Sequence, residues 1–158
     1  MFVAMAGGSA SHLRMAGGLT TAVRATIRGM AARADTRFPP ALVRALDAAK
    51  ILGVRAGGRS THRFTGVWVV VVDGRVFARS WTVTPDGWYA AFREDPLGTI
   101  QVGERRVRVR ARAVRSERIL DAVEPAYAVK YPTPASAKWV RGFRSKRRRA
   151  ATLEFTPR

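Results

Sequence analysis

Between Arg106 and Ala113 arginine alternates with small aliphatic residues. In an extended chain successive side chains take opposite faces, so Arg106, Arg108, Arg110 and Arg112 line one side and Val107, Val109, Ala111 and Ala113 the other. The alternation predicts a strand with arginines outward and aliphatic residues inward. Val67 to Val72 is instead an unbroken apolar run, which predicts a strand covered on both faces and central in its sheet. Asp73-Gly74 follows as the two-residue signature of a tight hairpin turn, and Arg75 to Trp81 forms the returning strand. Ile51 to Arg55, ended by Ala56-Gly57-Gly58, reads as an earlier strand. LGTIQVG and ERRVRVRARAV read as two more, joined at Gly103-Glu104, and Ala150 to Phe155 as the last.

Three segments carry helical spacing instead. ALVRALDAAK follows Pro39-Pro40 with apolar positions 42, 43 and 46. Trp88, Tyr89 and Phe92 share a face in WYAAFRED, which Pro96 cannot continue. ERILDAVEPAYAVKY places 119, 120, 123 and 127 together, with Ser116 as its cap and Pro125 expected to kink or divide it. YPTPAS and a short WVRGF segment receive no regular element. Six strands, mostly joined by tight turns, suggest a small closed β-barrel with helices plugging its ends.

The length of 158 residues suits one domain plus tails. Residues 1–35 are rich in Ala, Gly, Ser and Thr and repeat the segment MAGG at Met5 and Met15. They are expected to be a disordered extension or the product of a start codon placed too early, with residues 36–158 forming the domain. No apolar run is long enough to cross a bilayer, and cysteine is absent, so a soluble protein of a reducing, cytoplasmic compartment is expected, without a membrane partner. The net charge of +18 reflects 29 basic against 11 acidic residues. Only Lys50, Lys130, Lys138 and Lys146 are lysines, and the arginine excess matches the codon usage of a GC-rich genome.

Most catalytic constellations are missing. His12 and His62 are too few and too far apart for a metal site. Glu94 and Asp95 sit at a helix end and make no catalytic carboxylate pair. Ser60 and Ser80 lack a nucleophile-elbow context, and Ala56-Gly57-Gly58 lacks the lysine of a phosphate-binding loop. Arg79, flanked by Phe77 and Trp81, could support a flat anionic ligand or lay its stem over those rings with its head in water. For Arg59, Ser60 and Arg63, phosphate binding and plain loop solvation fit equally. For Trp88, Tyr89 and Phe92, core or interface packing is favoured over ligand stacking.

The stretch WVVVVDGRVFARSWTVTPDGWYAAFREDPLGTIQVGERRVRVRARAV resembles the core of the split-barrel superfamily that includes pyridoxamine-phosphate oxidases and deazaflavin-dependent nitroreductases. VWVVVVDGRVFARSW, GWYAAF, AYAVKY and RAATLEF more closely resemble a bacterial family of small uncharacterised proteins in that superfamily, over roughly residues 40 to 157. The resemblance implies a six-stranded split β-barrel (pyridoxamine-phosphate-oxidase-like), a homodimer, and FMN or a deazaflavin in a groove between subunits. It nominates Arg79, Ser80, Trp88 and Tyr89 as cofactor contacts, and Arg59 and Ser60 from the loop ahead of the hairpin. Where the flavin oxidases carry a Ser-Arg-Lys motif, this chain has Gly87-Trp88-Tyr89, with no positive charge. The leading expectation is therefore hydride-transfer chemistry on a small-molecule substrate. The alternatives are a non-catalytic nucleic-acid binder, motivated by the charge, the arginine ridge and RSKRRR at 144–149, and a structural or interaction barrel.

Overall fold

Pro40 opens the first helix, where a missing backbone donor costs nothing. In this computed structural model, which describes residues 36–58 and 62–158, α1 is Pro40–Ala48. The expectation for residues 1–35 lies outside the described residues. The elements that follow are β1 Leu52–Ala56, β2 Thr65–Val67, β3 Val70–Val72, β4 Arg75–Arg79, α2 Trp88–Glu94, β5 Leu97–Val102 and β6 Arg105–Ala113. Helices α3 Glu117–Lys130, α4 Pro134–Gly142 and α5 Lys146–Ala150 lead to β7 Thr152–Pro157.

The strands form one antiparallel sheet in the order β2-β1-β5-β6-β7-β4-β3. Its two edge strands are neighbours in sequence, since Val67 ends β2 and Val70 begins β3. Three residue steps reach at most ~11 Å. Seven strands laid flat would hold those edges ~29 Å apart. The sheet therefore has to curl, and it forms a half-barrel of seven strands rather than the expected closed barrel of six. The extra strand has a local cause: the extended segment 65–72 leaves β1 as its partner at Val67 and takes up β4 at Val70, so the ladder breaks at Trp68-Val69.

The position expected for this segment also needs correcting. It supplies both edges of the sheet, not its centre, and its apolar character is explained by α1 and α3, which pack on β3. The strand buried on both faces is β4. Val76 and Ala78 join the cluster inside the curl with Leu46, Leu52, Ile100 and Phe155. Phe77 joins a second cluster with Leu120, Val123, Tyr127 and Phe143 beneath α3 and α4.

Breaking a ladder strands backbone groups that need partners. Two tyrosines four residues apart on α3 supply them. The Tyr131 hydroxyl accepts the Val69 N–H at 3.1 Å and lies 2.7 Å from the Lys50 carbonyl, to which it donates. The Tyr127 hydroxyl accepts the Arg79 N–H at 2.8 Å and donates to the Trp68 carbonyl at 3.4 Å. Helix α3 thus fastens the point where the chain passes between the sheet's edges.

Other expectations are met where the signal is local. Asp73 and Gly74 both have positive φ, 51° and 72°, the backbone of a type I′ hairpin turn. Along β6, Val109 and Ala111 are buried while Arg106, Arg108, Arg110 and Arg112 are exposed. Ser116 precedes α3 but its side chain makes no capping bond, and the helix runs through Pro125 undivided. The WVRGF segment falls largely in α4, whose N-terminus is capped by Thr133 accepting the Ser136 N–H. Arg149 anchors α5 to α3 by binding Glu117 at 2.6 Å, Asp121 at 2.9 Å and Glu124.

Candidate functional site

The chain contains four tryptophans, and all four line one cavity of about 430 Å³. Trp68 comes from the break between β2 and β3, Trp81 from the segment after β4, Trp88 from the start of α2 and Trp139 from α4. Thr65, Gly66, Val67, Thr82, Gly87, Arg79 and Phe143 complete the lining. The volume falls in the range of small-molecule sites, and a wall of aromatic rings with few polar groups is their usual composition.

The rings are held by their neighbours. Trp68 stacks on Tyr131 at 4.2 Å between centroids, with planes 7° apart, and meets Phe143 edge-on at 6.0 Å. Trp81 packs edge-on to Trp139 at 4.5 Å and tilted against Phe143 at 5.9 Å. Gly142 makes room for it, because a β-carbon there would overlap the Trp81 ring. The Arg148 guanidinium lies 3.5 Å from the centroid of Trp81 and donates to the Trp81 and Gly142 carbonyls. Lys138 stands 4.9 Å from the Trp139 ring centre. Cations thus stand over two of the four indoles.

Arg79 is the polar feature of the lining. It is 2% exposed, among the largest fully buried side chains. Its Nε donates to Thr152 Oγ1 at 2.8 Å and its Nη1 to the Phe143 carbonyl at 2.9 Å. Glu124 lies 3.7 Å from Nη1, and Arg149 holds that carboxylate as well. Nη2 is buried without a hydrogen-bond partner among the described residues. Burial pulls the Arg79 pKa below the ordinary guanidinium value, with Tyr127 and Glu124 acting in the opposite direction. A buried charge-bearing donor left unmatched costs free energy.

Of the six nominated residues, the structure brings Arg79 and Trp88 to the cavity. Arg79 departs from the reading that put its head in water, because α3 and α4 close over it. Ser80 is buried and its hydroxyl donates to the Thr82 carbonyl at 2.6 Å. The Tyr89 hydroxyl donates to the Ala150 carbonyl at 3.2 Å and accepts from Arg93. Neither lines the cavity. Arg59 and Ser60 lie outside the described residues. Trp68, Trp81, Trp139 and Phe143 were not nominated: Trp68 and Trp81 lie just past the ends of β2 and β4, and Trp139 and Phe143 belong to α4 and its end, a helix that the sequence pattern did not predict.

Comparison with curated proteins finds no match. Among solved structures, the conserved hypothetical protein Rv2991 from Mycobacterium tuberculosis is similar, with a TM-score of 0.50 and 15% identity over 78% of this chain and 81% of that one. An F420-H2 dependent reductase (FDR-A) aligns with a TM-score of 0.46 and 16% identity over 67% of this chain and 91% of that one. The likeness to Rv2991 is one of fold. The family model described as "Uncharacterized protein conserved in bacteria (DUF2255)" matches residues 41–155, which span nearly every element of the half-barrel, and the chain belongs to that family.

Proposed function

We propose that this chain is a split-barrel redox protein that seats a flavin or deazaflavin ring among its four tryptophans and acts on a small-molecule substrate. The observation that carries the reading is the convergence of Trp68, Trp81, Trp88 and Trp139 on one cavity beside the unmatched Nη2 of Arg79. Aromatic walls suit a flat conjugated ring, and Arg79 suits a carbonyl or anionic edge of that ring. Lys138 and Arg148, over Trp139 and Trp81, suit an anionic tail. Since Gly87-Trp88-Tyr89 carries no charge, contacts to such a tail come from α4 and α5 rather than from α2.

When bound, such a group supplies hydride transfer. The chain supplies placement and exclusion of water. Tyr127, fully enclosed, has its pKa pushed above the ordinary phenol value by burial, so its hydroxyl stays protonated and serves as a backbone tie. Ser80 fixes the turn that carries Trp81, and Tyr89 holds α2 to Ala150, the last residue of α5. Arg59 and Ser60 belong to the reading as contacts from the loop ahead of β2. A homodimer belongs to it too, and Trp139, 38% exposed, is a residue that a second subunit would cover.

Titration of the purified protein with FMN and with a deazaflavin, followed by ligand fluorescence and tryptophan quenching, tests the proposal. Saturable quenching by one of the two, lost in Trp88→Ala, is expected. A colourless protein whose tryptophan emission and ligand emission are unchanged by both would overturn it.

A further inference from the structure

The stretch of outer face that β6 presents contributes no residue to the lining of the cavity. Arg106, Arg108, Arg110 and Arg112 stand on it in one row, all exposed. Alternate residues of a strand are ~6.7 Å apart, so the row presents four guanidinium groups over ~20 Å. That spacing is comparable to the repeat of successive phosphates in an extended nucleic-acid strand. Arg55 extends the row sideways, since it pairs across β5 with Thr99, which faces Arg108.

Among the described residues, none of these five arginines makes an ion pair. Glu154, the carboxylate opposite Arg112 on β7, is taken up by Arg75 in a two-point contact with both distances at 2.7 Å. The neighbours of the row on β5 and β7 are otherwise Leu97, Thr99, Gln101 and Thr156. At one end an aromatic ring joins it. Phe64 lies against Gly53, where a β-carbon would come within 3.3 Å of it. Arg55 and Arg106 lie 4.4 and 5.4 Å from the centre of the Phe64 ring. A second copy of the same row would be repelled, and the row itself lies on a strand, not on a helix that could enter a major groove.

We infer that this face binds single-stranded nucleic acid, with the arginine row on successive phosphates and a base stacked at the Phe64, Arg55 and Arg106 end. Positive tracks with an aromatic platform are how sequence-tolerant single-strand binders work. The inference does not depend on the cofactor reading, because none of the five arginines lines the cavity, and neither does Phe64.

Fluorescence anisotropy of the full chain with a labelled oligothymidine, an oligouridine and a duplex of equal length, between about 50 and 200 mM salt, tests it. Binding to a single strand, tighter than to the duplex, is expected. In Arg106→Gln/Arg108→Gln/Arg110→Gln the log–log salt slope should fall by about 2, at about 0.7 per phosphate. Phe64→Leu should weaken binding about fivefold or more at nearly constant slope, and Phe64→Tyr should restore it. A control removing the same charge elsewhere, Arg44→Gln/Arg118→Gln/Arg144→Gln, should change the slope little. Equal loss in both triple variants would overturn the inference in favour of net charge alone. So would preference for the duplex, indifference to Phe64→Leu, or binding to anionic vesicles without binding to oligonucleotides. Near-ultraviolet circular dichroism of each variant, unchanged from the parent, establishes that the fold is intact.

Discussion

Replacing Tyr131 with phenylalanine tests how the half-barrel is held where its edges meet. The ring is unchanged, so its stack on Trp68 at 4.2 Å and its burial are kept. What disappears is one hydroxyl, which accepts the N–H of Val69, a residue with 0% exposure. The Lys50 carbonyl also loses a donor, but Lys50 is exposed and water can replace it. The cost is therefore that of one buried, unmatched backbone donor, about 1–3 kcal/mol, with ~2 kcal/mol the central value. For a domain of this size that corresponds to a fall in Tm of roughly 8 °C. Urea unfolding followed by tryptophan fluorescence measures it directly. Tyr89→Phe removes an exposed hydroxyl and should stay within about 0.5 kcal/mol. A loss below about 0.5 kcal/mol for Tyr131→Phe would mean that the ladder break is not fastened by this hydroxyl.

Three further outcomes follow from the packing and from burial. Gly98→Ala should destabilise by about 3 kcal/mol in the same assay, because its β-carbon would overlap the Arg55 carbonyl and the Phe92 ring, and the β1–β5 ladder fixes the carbonyl; Gly58→Ala, with only ordinary contacts, should be near neutral. Burial pushes the Tyr131 pKa up to about 12, so the unfolded chain loses this proton near pH 10 while the folded chain keeps it. The resulting stability is fully present below about pH 10 and is lost as pH rises through about 12; urea midpoints should show this decline, and it should be smaller in Tyr131→Phe. Burial also pulls Lys130 down to about 8, and its Nζ donates to the Leu46 carbonyl at 3.1 Å. With lysines labelled by ¹³C-methylation, the Lys130 resonance should titrate near 8, and a midpoint above about 10 would contradict its burial.

How much was legible in the sequence depended on the range of the signal. The Asp73-Gly74 turn and the two faces of β6 are dictated by neighbours one to four residues apart, and both were read correctly. The segment 65–72 was not, because the break at Trp68-Val69 carries no glycine or proline and is imposed by the closure of the sheet. Its hydrophobicity was read as a central position when it reflects cover by α1 and α3. Helix α4 was missed because the prolines at 132 and 134 look like loop, although Thr133 followed by proline is also the opening of a capped helix. At the site, Arg79 and Trp88 were reachable from strand and helix patterns. The convergence of Trp139 on Trp81, 58 residues earlier, is a tertiary fact that no local pattern contains.

The central claim is that the tryptophan-lined cavity is a binding site for a flat redox cofactor. Four indole N–H signals are available, one from each tryptophan, and all four belong to that cavity. In a ¹⁵N-labelled sample titrated with FMN or a deazaflavin, all four should shift together along one saturation curve. Indole signals that stay in place at saturating concentrations of both ligands would contradict the account.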